Sequence, residues 1–346
     1  MLILTITPGS TSTKIALFEN LELVVKETVR HSQKTLVTFD ELTDQLDMRK
    51  KVIDKFLKKN NIKTEQIDGF IGRGGLIHPV KSGIYKVNDN MLDDLSKNTY
   101  GEHASNLGGI IAYEMAKTVG KDAYIADPVV VDEMSSVAKI SGLNGISRRS
   151  LWHALNQKAV ARKYAEKYGK KYEELNLIVA HLGGGISVGL HKRGRVTDVN
   201  NALDGDGPFS PERSGSLPVE SVIDLAFSGQ YTREQLAKLN HGFGGLVSYL
   251  DTNDAEKVSE MIGNNEVFAQ RVLKAMVYQI AKEIGSYYAA SKAKAQAIII
   301  TGGIAYNEKF TNDLKTYVGT LTEYHVYPGE NEMEALAEGA FRVIDK

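Results

Sequence analysis

The chain has 346 residues, of which 42% are hydrophobic and 25% charged, with a formal net charge of −1 at pH 7 and no cysteine. Its length exceeds what one compact core usually supports, so two domains are expected. The near-zero net charge gives no sign of a basic surface that would bind nucleic acid or an anionic membrane. The lack of cysteine excludes disulfides, thiolate catalysis and cysteine-bound metal.

Strands and helices are predicted to alternate along the first part of the chain. The strands are short apolar runs between turn-forming residues, and the helices repeat apolar side chains at intervals of three and four. The predicted elements are strands Leu2–Ile6, Lys14–Glu19 and Leu21–Thr28, helix Glu41–Asn60, strand Ile67–Ile71, helix His103–Val119 and strand Ala123–Ala126.

A second set of elements follows Ser150. It comprises helix Leu151–Tyr168, strands Asn176–Ala180, Ile186–His191 and Arg195–Val199, short helices Val219–Leu225 and Arg233–Leu239, long helix Glu266–Ala290, strand Ala297–Thr301, helix Glu308–Tyr317, strand Glu323–Val326 and helix Glu332–Ile344. Strands that alternate with long helices indicate an α/β fold.

The N-terminal apolar run, Met1–Ile6, stops before Pro8 and is too short for the core of a signal peptide. No apolar run approaches the roughly 20 residues that cross a bilayer. We therefore expect a cytoplasmic protein with neither membrane nor nucleic acid as a partner.

Two hairpins share one plan. Residues 2–19 and 177–191 each contain an apolar strand, a turn of small residues and a second apolar strand. This repetition predicts a tandem duplication with a cleft between the copies. We expect domains over residues 1–149 and 150–332, with the C-terminal helix, residues 333–346, returning to the first domain.

The turn Gly183-Gly184-Gly185 is the strongest candidate for phosphate binding. Glycine lacks a Cβ, so its backbone N–H groups can lie directly against a phosphate, and a plain turn seldom needs three glycines. Further along, the polar loop 205–215 contains Arg213 and is too long to be a mere connection. A phosphate cradle and a positioned guanidinium are the parts that phosphoryl transfer needs.

The first turn, between Thr7 and Lys14, offers backbone N–H groups, the hydroxyls of Ser10 and Ser12, and the Lys14 ammonium. The same residues also suit an ordinary solvated hairpin loop. The spacing of a Walker loop is absent, and neither hairpin turn has the strand-to-helix setting of a dinucleotide-binding G-x-G-x-x-G.

Further candidates have a structural interpretation beside the functional one. Arg73, set among glycines at a strand end, suits a carboxylate or phosphate clamp or a surface position. Asp127 suits a catalytic carboxylate or a turn residue before Pro128. Gly302-Gly303 suits a flat surface for adenosine or a simple strand-to-helix junction.

The roles of the histidines and acidic residues near these motifs are also open. His153 and His181 lie nearest the motifs, but a lone histidine is more often structural than catalytic. Glu330 and Glu332 could reach Mg²⁺ through water, or could simply favour a helix N-terminus.

Together these residues resemble the acetokinase family of acetate and butyrate kinases, within the acetokinase, sugar kinase, Hsp70 and actin (ASKHA) superfamily. The resemblance spans nearly the whole chain and is strongest to the butyrate kinase branch, whereas acetate kinases are longer by several loops. It is carried by the segments Pro8–Lys14, His103–Gly108, Asp127–Met134, His153–Arg162 and His181–Gly189.

The resemblance implies two duplicated α/β ASKHA domains with ATP and Mg²⁺ in a central cleft, held mostly by the second domain. It implies reversible phosphoryl transfer from ATP to a short-chain carboxylate, butyrate above all, giving an acyl phosphate and ADP. In the catalytic roles it implies, Arg73 binds the carboxylate, Asp127 is an acid, and His153 and Arg213 stabilise the phosphoryl group. The implied nucleotide-binding residues are Ser10, Ser12, Lys14, His181, Gly183, Gly184, Gly185, Gly302 and Gly303, and the implied metal-site residues are Thr7 and Glu332.

Three positions depart from the family pattern. Thr7 stands where the family usually has asparagine, which bears on the detail of metal binding. Gln157 stands where acetate kinases carry a second histidine, and Gly184 where they carry asparagine. The last two point away from acetate as the substrate.

Alternatives stay open on this sequence. The substrate could be isobutyrate, propionate or acetate, or the chain could be a nucleotide-binding ASKHA protein without catalysis. A homodimer or larger assembly is expected from the family, and helix Glu266–Ala290 suits either a subunit contact or a buried core helix.

Overall fold

A computed structural model describes residues 1–9, 11–36 and 38–345. The strands that it contains are β1 (Leu2–Pro8), β2 (Ser12–Glu19), β3 (Glu22–Arg30), β4 (Gly69–Arg73), β5 (Ile84–Lys86), β6 (Ala123–Ala126), β7 (Asn176–Leu182), β8 (Ile186–Lys192), β9 (Arg195–Val199), β10 (Ala297–Gly302) and β11 (Glu323–Pro328).

Helices connect and cover these strands. The α-helices are α1 (Gln33–Leu36), α2 (Leu46–Lys59), α3 (Asp89–Ser96), α4 (Asn106–Thr118), α5 (Ser136–Lys139), α6 (Ala154–Lys167), α7 (Val219–Phe227), α8 (Arg233–Asn240), α9 (Gly245–Leu250), α10 (Ala255–Gly263), α11 (Val267–Ala290), α12 (Glu308–Val318) and α13 (Glu332–Ile344). Short 3₁₀ turns lie at Leu42–Gln45, Thr64–Gln66, Tyr172–Glu174 and Gly303–Tyr306.

The chain divides into two compact units. Unit 1 comprises Met1–Asp132 with Asn331–Lys346, and unit 2 comprises Glu133–Glu330. Over the described residues, the sheet of unit 1 has the order β3-β2-β1-β4-β6-β5, and that of unit 2 the order β11-β10-β7-β8-β9.

The two sheets repeat one topology. In unit 1, β1, β2 and β3 form an antiparallel meander, and β4 and β6 add in parallel beside β1. In unit 2, β7, β8 and β9 form the meander, and β10 and β11 add in parallel beside β7. The predicted α/β class and the duplication suggested by the two hairpins are therefore confirmed.

The central strands of unit 2 are buried on both faces. On β7, Leu177 and Val179 pack with side chains of α6, whereas Ile178 and Ala180 pack with side chains of α11. This alternation follows from the two-residue period of a strand. It explains why β7 reads as a continuous apolar run, as strands covered on both faces do.

Unit 1 is also covered on both faces of its sheet. A Cβ on Gly69 would meet Ile344 of α13, and one on Gly72 would meet the backbone of Gly108 in α4. Because these two strand positions are three residues apart, they face opposite sides. The C-terminal helix α13 thus completes the core of the unit that contains the N-terminus.

Several predicted boundaries are wrong at helix starts and strand ends. α4 begins at Asn106 and α6 at Ala154, each three residues after the predicted start, and β4 runs from Gly69 to Arg73 and not from Ile67 to Ile71. The prediction missed the short elements β5, α1, α3, α5, α9 and α10. Within the described residues, no helix is both long enough and apolar enough to cross a membrane.

Candidate active site

Three of the predicted site residues lie at one edge of the sheet in unit 1. Thr7 is near the end of β1, Arg73 ends β4, and Asp127 directly follows β6. β1, β4 and β6 are parallel neighbours, with Ile6 opposite Gly72 and Arg73 opposite Ala126. The carboxyl ends of parallel strands are where open α/β sheets commonly bind ligands.

Glu332 reaches the same edge from the start of α13. Its carboxylate Oε2 lies 3.4 Å from Arg73 Nη1, and the two side chains are 4% and 17% exposed. Since charges so well buried need a partner, the ion pair fixes both groups. Arg73 is therefore held at the strand end and is not the surface arginine that its setting also allowed.

Asp127 has an unusual backbone. Its φ of +37° lies in the left-handed region, which a residue before proline rarely adopts. Its carboxylate Oδ1 accepts hydrogen bonds from Ser82 Oγ at 2.5 Å and from Gly83 N at 2.9 Å. Such backbone strain costs on the order of 1–3 kcal/mol and is often found at functional sites.

The glycines around Arg73 serve close packing. A Cβ on Gly108 would lie 3.0 Å from Arg73 N, and a Cβ on Gly75 would lie 2.5 Å from Asn106 Cα. Asn106 Oδ1 also accepts a hydrogen bond from Leu76 N at 2.8 Å. The start of α4 is thus seated directly on the end of β4, which fixes the backbone that carries Arg73.

The first turn is held by hydrogen bonds from a buried arginine that the sequence analysis missed. Arg49 of α2 is fully buried, and its guanidinium donates to Gly9 O (3.0 Å), Ser12 O (2.8 Å), Thr13 Oγ1 (3.1 Å) and Gln45 Oε1 (2.9 Å). Burial lowers the pKa of Arg49 to about 10. Its spacing from the buried residues Ile53, Phe56 and Leu57 places it on the inner face of α2, a signal that was present in the sequence.

Two candidates of this turn lie within the described residues, and one does not. Ser12 begins β2, and Lys14 is paired with Thr7 across the hairpin. Ser10 lies outside the described residues. Its predicted role, like those of Ser12 and Lys14 in nucleotide binding, stays a prediction.

Thr7 is one of the buried residues with a side-chain polar atom that lacks a hydrogen-bond partner among the described residues. The residue is 2% exposed, and its hydroxyl has no hydrogen-bond partner among residues 1–9, 11–36 and 38–345. Leaving a buried hydroxyl unsatisfied costs about 1–3 kcal/mol, so a bound group at this edge would stabilise it. Within those ranges, no three His, Asp or Glu side chains converge on one point.

In unit 2, the side chain of Arg213 packs against the three-glycine turn 183–185. A Cβ on Gly185 would lie 2.6 Å from the Arg213 guanidinium carbon. The guanidinium Nη1 donates to the Ala202 carbonyl. Gly185 is therefore required because the planar guanidinium lies against its backbone.

The loop that carries Arg213 is anchored to the same turn. Ser210 Oγ donates to Gly184 O at 2.6 Å, and Ser210 N donates to Arg213 O at 3.0 Å. Asn200 Nδ2 donates to Asp206 O at 3.1 Å near the start of the loop. The long polar loop is thus an ordered support for one guanidinium.

Two predicted histidines lie together beside this turn. The rings of His153 and His181 are stacked, with centroids 3.7 Å apart and planes 9° apart. His153 occupies the N-cap position of α6, and its Nδ1 lies 2.8 Å from Ser187 Oγ on β8. His181 Nδ1 lies 2.8 Å from Asn156 Oδ1.

The third glycine turn closes the end of β10. Gly302 has a φ of +92°, and its backbone exchanges hydrogen bonds with Gly329 at 3.0 Å in both directions. A Cβ on Gly302 would lie 2.7 Å from Leu182 N, whereas in the described part of the chain nothing lies within 4 Å of a Cβ on Gly303. Gly303 thus borders open space, as a flat ligand surface requires.

Each unit therefore gathers part of the predicted set. Unit 1 brings Thr7, Arg73, Asp127 and Glu332 to one sheet edge. Unit 2 brings together the residues around its first glycine turn, namely His153, His181, Gly183, Gly184, Gly185 and Arg213. Sequence reasoning missed Arg49 and Ser187, and it did not predict that the Gln157 amide donates hydrogen bonds to Ser187.

The chain matches a known family and several solved structures. The sequence profile of the acetokinase family matches residues 132–331, more than half of the chain. Among solved structures, an acetate kinase from Porphyromonas gingivalis is similar, with a TM-score of 0.80, 17% identity and 99% of each chain covered. A propionate kinase from Francisella tularensis subsp. tularensis has a TM-score of 0.77, 19% identity and 99% coverage of each chain.

At these identities the structural likeness shows the fold, and it confirms the predicted α/β class. The profile match shows the family. The chain belongs to the acetokinase family.

Proposed function

We propose that this member of a family of carboxylate phosphotransferases phosphorylates butyrate with ATP, giving butyryl phosphate and ADP. The observation that carries the proposal is the Arg213 guanidinium lying on the Gly185 backbone, with the stacked histidines His153 and His181 in the same unit. A fixed cation beside the backbone of a glycine turn suits the charge of a phosphoryl group in transfer.

The chemistry needs little acid–base catalysis. A carboxylic acid is ionised at neutral pH, so the nucleophile needs no general base. Arg73 would bind the carboxylate substrate, aligned by its ion pair with Glu332. Arg213 and His153 would stabilise charge on the equatorial oxygens of the phosphoryl group. Asp127 would be the acidic residue of the active site.

The nucleotide would be held by backbone at both glycine turns of unit 2. Gly183, Gly184 and Gly185 would contact the phosphates, with His181 beside them, and Gly302-Gly303 would lie against the adenosine. Ser10, Ser12 and Lys14 of the first turn would add hydroxyl and ammonium contacts to the phosphates.

The residues of unit 1 also suit Mg²⁺. When bound, Mg²⁺ neutralises phosphate charge and keeps several waters, so few protein ligands are needed. The buried Thr7 hydroxyl and the Glu332 carboxylate are hard oxygen donors of the right kind. Both would hold the ion through its waters.

Butyrate is favoured over acetate by two positions. Gln157 is part of the buried hydrogen-bond network of unit 2, where acetate kinases carry a histidine. Gly184 stands where acetate kinases carry asparagine, and its Cβ position lies 3.4 Å from Glu212 Oε2. Both support the resemblance to the butyrate kinase branch.

The direct test is trapping of the acyl phosphate. The protein is incubated with ATP, Mg²⁺, hydroxylamine and each of a panel of acids from acetate to valerate, isobutyrate included. Butyrate is expected to give the highest yield of hydroxamate. A higher yield from acetate, propionate or isobutyrate would reassign the substrate, and no product from any acid would favour a nucleotide-binding protein without catalysis.

Replacing Arg73 with alanine is expected to raise the KM for butyrate by about 10- to 100-fold, because hydrogen bonds to charged groups contribute about 1.5–3 kcal/mol. The KM for ATP should change less than the KM for butyrate. Steady-state kinetics with each substrate varied in turn measure both values. Arg30→Ala, at an exposed position of β3, is the matched control, and an unaltered butyrate KM in Arg73→Ala would remove Arg73 from the substrate site.

We further propose that the two units correspond to the two ASKHA domains and that the protein is a cytoplasmic homodimer or larger oligomer. One side of α11 is buried in the core of unit 2, through Met276 and Ile280. Its exposed side chains Val267, Phe268 and Tyr278 supply an apolar face for a subunit contact. The oligomeric state can be measured by light scattering.

A further inference from the structure

A chain of hydrogen bonds runs through the buried interior of unit 2 and ends at His153. It links Tyr172, His191 and Gln157 to Ser187, and Ser187 to the His153 ring. His191, Gln157 and Ser187 are each 0% exposed. Water therefore does not compete for these contacts, and each donor must match an acceptor.

The direction of the chain is fixed by a backbone carbonyl. Gln157 Nε2 lies 3.0 Å from Ser187 O, which can only accept a hydrogen bond. The amide nitrogen must therefore face β8, and Oε1 must face His191. A Cβ on Gly189 would lie 2.6 Å from Oε1, so this glycine provides the space for the amide.

The orientation of the Gln157 amide determines where the hydroxyl proton of Ser187 points. The second N–H of the amide donates to Ser187 Oγ at 2.8 Å, and the backbone N–H of His153 donates to the same oxygen at 3.3 Å. These two donors occupy both lone pairs of the hydroxyl. Among the described residues, the remaining hydrogen-bond partner of Ser187 Oγ is His153 Nδ1 at 2.8 Å, so the Ser187 proton is directed to that nitrogen.

We propose that Ser187 and Gln157 are positioning residues that fix neutral His153 as the tautomer protonated at Nε2. His181, stacked on it, receives the opposite assignment. Asn156 Nδ2 donates to the carbonyl of Glu330, so Asn156 Oδ1 accepts the proton of His181 Nδ1 at 2.8 Å. The two stacked rings thus differ in which nitrogen carries the proton.

The hydrogen bonds at the Tyr172 end of this network agree with this direction. His191 Nε2 donates to Gln157 Oε1 at 3.0 Å, which leaves Nδ1 to accept from the Tyr172 hydroxyl at 2.7 Å. Burial, with lesser effects of Lys158 and Arg162, lowers the pKa of His191 well below its usual value. A neutral His191 is the form that this arrangement requires.

The consequence for catalysis rests on the proposed function. A His153 ring with its proton on Nε2 offers a hydrogen-bond donor while uncharged, and has no lone pair there to accept a phosphoryl group. His153 would stabilise the phosphoryl group in transfer and would not form a phosphohistidine. The structure assigns this choice to Gln157, at the position where acetate kinases carry histidine.

Nitrogen NMR of the intact protein, with ¹⁵N-labelled histidine, tests the assignment directly. Spectra are recorded without substrate at about pH 8.5, well above the usual histidine pKa, and two-bond correlations identify each ring nitrogen as protonated or bare. His153→Gln and His181→Gln assign the signals. The expected result is one tautomer for each ring, Nε2–H for His153 and Nδ1–H for His181. Protonated Nδ1 in His153, or two averaged nitrogens, would overturn the proposal.

Ser187→Ala and Ser187→Thr form the matched pair of variants. The alanine variant lacks the hydroxyl, so both tautomers of His153 should be populated and its ring-nitrogen signals should move toward averaged shifts. We expect kcat to fall about 10-fold, the low end of the loss when a hydrogen bond that orients a metal-ligating histidine is removed. The threonine variant keeps the hydroxyl and should restore both the tautomer and kcat. A single Nε2–H form retained in Ser187→Ala would contradict the role of Ser187. Because the spectra need no substrate, they stay informative even if no acid yields hydroxamate.

Discussion

Replacing Arg213 with alanine is expected to lower kcat by about 10³-fold, the low end of what an arginine supplies in phosphoryl transfer. The guanidinium is held over the backbone of Gly185 and donates to the Ala202 carbonyl, so its position is fixed before substrate binds. Fixed charge that meets the transition state lowers the barrier more than it tightens binding. The KM for ATP should therefore change far less than kcat.

Steady-state kinetics on two further variants complete this prediction. Arg213→Lys keeps the charge but loses the planar fork, and should recover only part of the lost rate. Arg195→Ala, at an exposed position of β9, should leave kcat unchanged. Normal turnover in Arg213→Ala would refute the proposed role of this side chain.

The second large effect is expected from Gly185→Ala. The added Cβ would overlap the Arg213 guanidinium, so the side chain must move. A displacement of about 1 Å at a reacting centre can cost about 10²-fold, and we expect a loss in kcat of that order. The defect should resemble a weaker form of Arg213→Ala, and the double variant should be no worse than Arg213→Ala alone.

Gly285→Ala is the matched control for this substitution. Gly285 lies within α11, and in the described ranges nothing comes within 4 Å of its Cβ position. Alanine there should leave kcat unchanged and stabilise the protein by about 0.5–1 kcal/mol, because it restricts the unfolded chain. Additive losses of kcat in Gly185→Ala with Arg213→Ala would show that Gly185 does not act through Arg213.

The elements with strong periodicity were predictable from the sequence. The apolar strands β1, β7 and β10 and the long helix α11 carry enough side chains in one pattern to identify each element. The short elements were missed for a physical reason. β5 has three residues and exists only through its pairing with β6, which a local pattern does not reveal.

The glycine turns were recognised, but the reason for each glycine was not. Gly185 gives room to a guanidinium from a loop more than twenty residues away, and Gly72 gives room to the start of α4. Such contacts depend on tertiary packing and leave no local signature. The same is true of Ser187 and Gln157, whose hydrogen bonds join a helix to a strand.

Arg49 was missed because it stands beside two lysines in the sequence of α2. Arginine is almost never fully buried without a partner, so a charged residue beside Lys50-Lys51 is first assigned to solvent. Its partners include backbone carbonyls of the first turn, which only the fold brings to it. The helical intervals to Ile53, Phe56 and Leu57 were the local sign of its burial.

A crystal structure with a non-hydrolysable ATP analogue and Mg²⁺ tests the central claim most directly. We predict that the phosphates lie against residues 181–190 with the terminal one beside Arg213, and that the adenosine lies along residues 301–305. Nucleotide density remote from both segments would contradict the account.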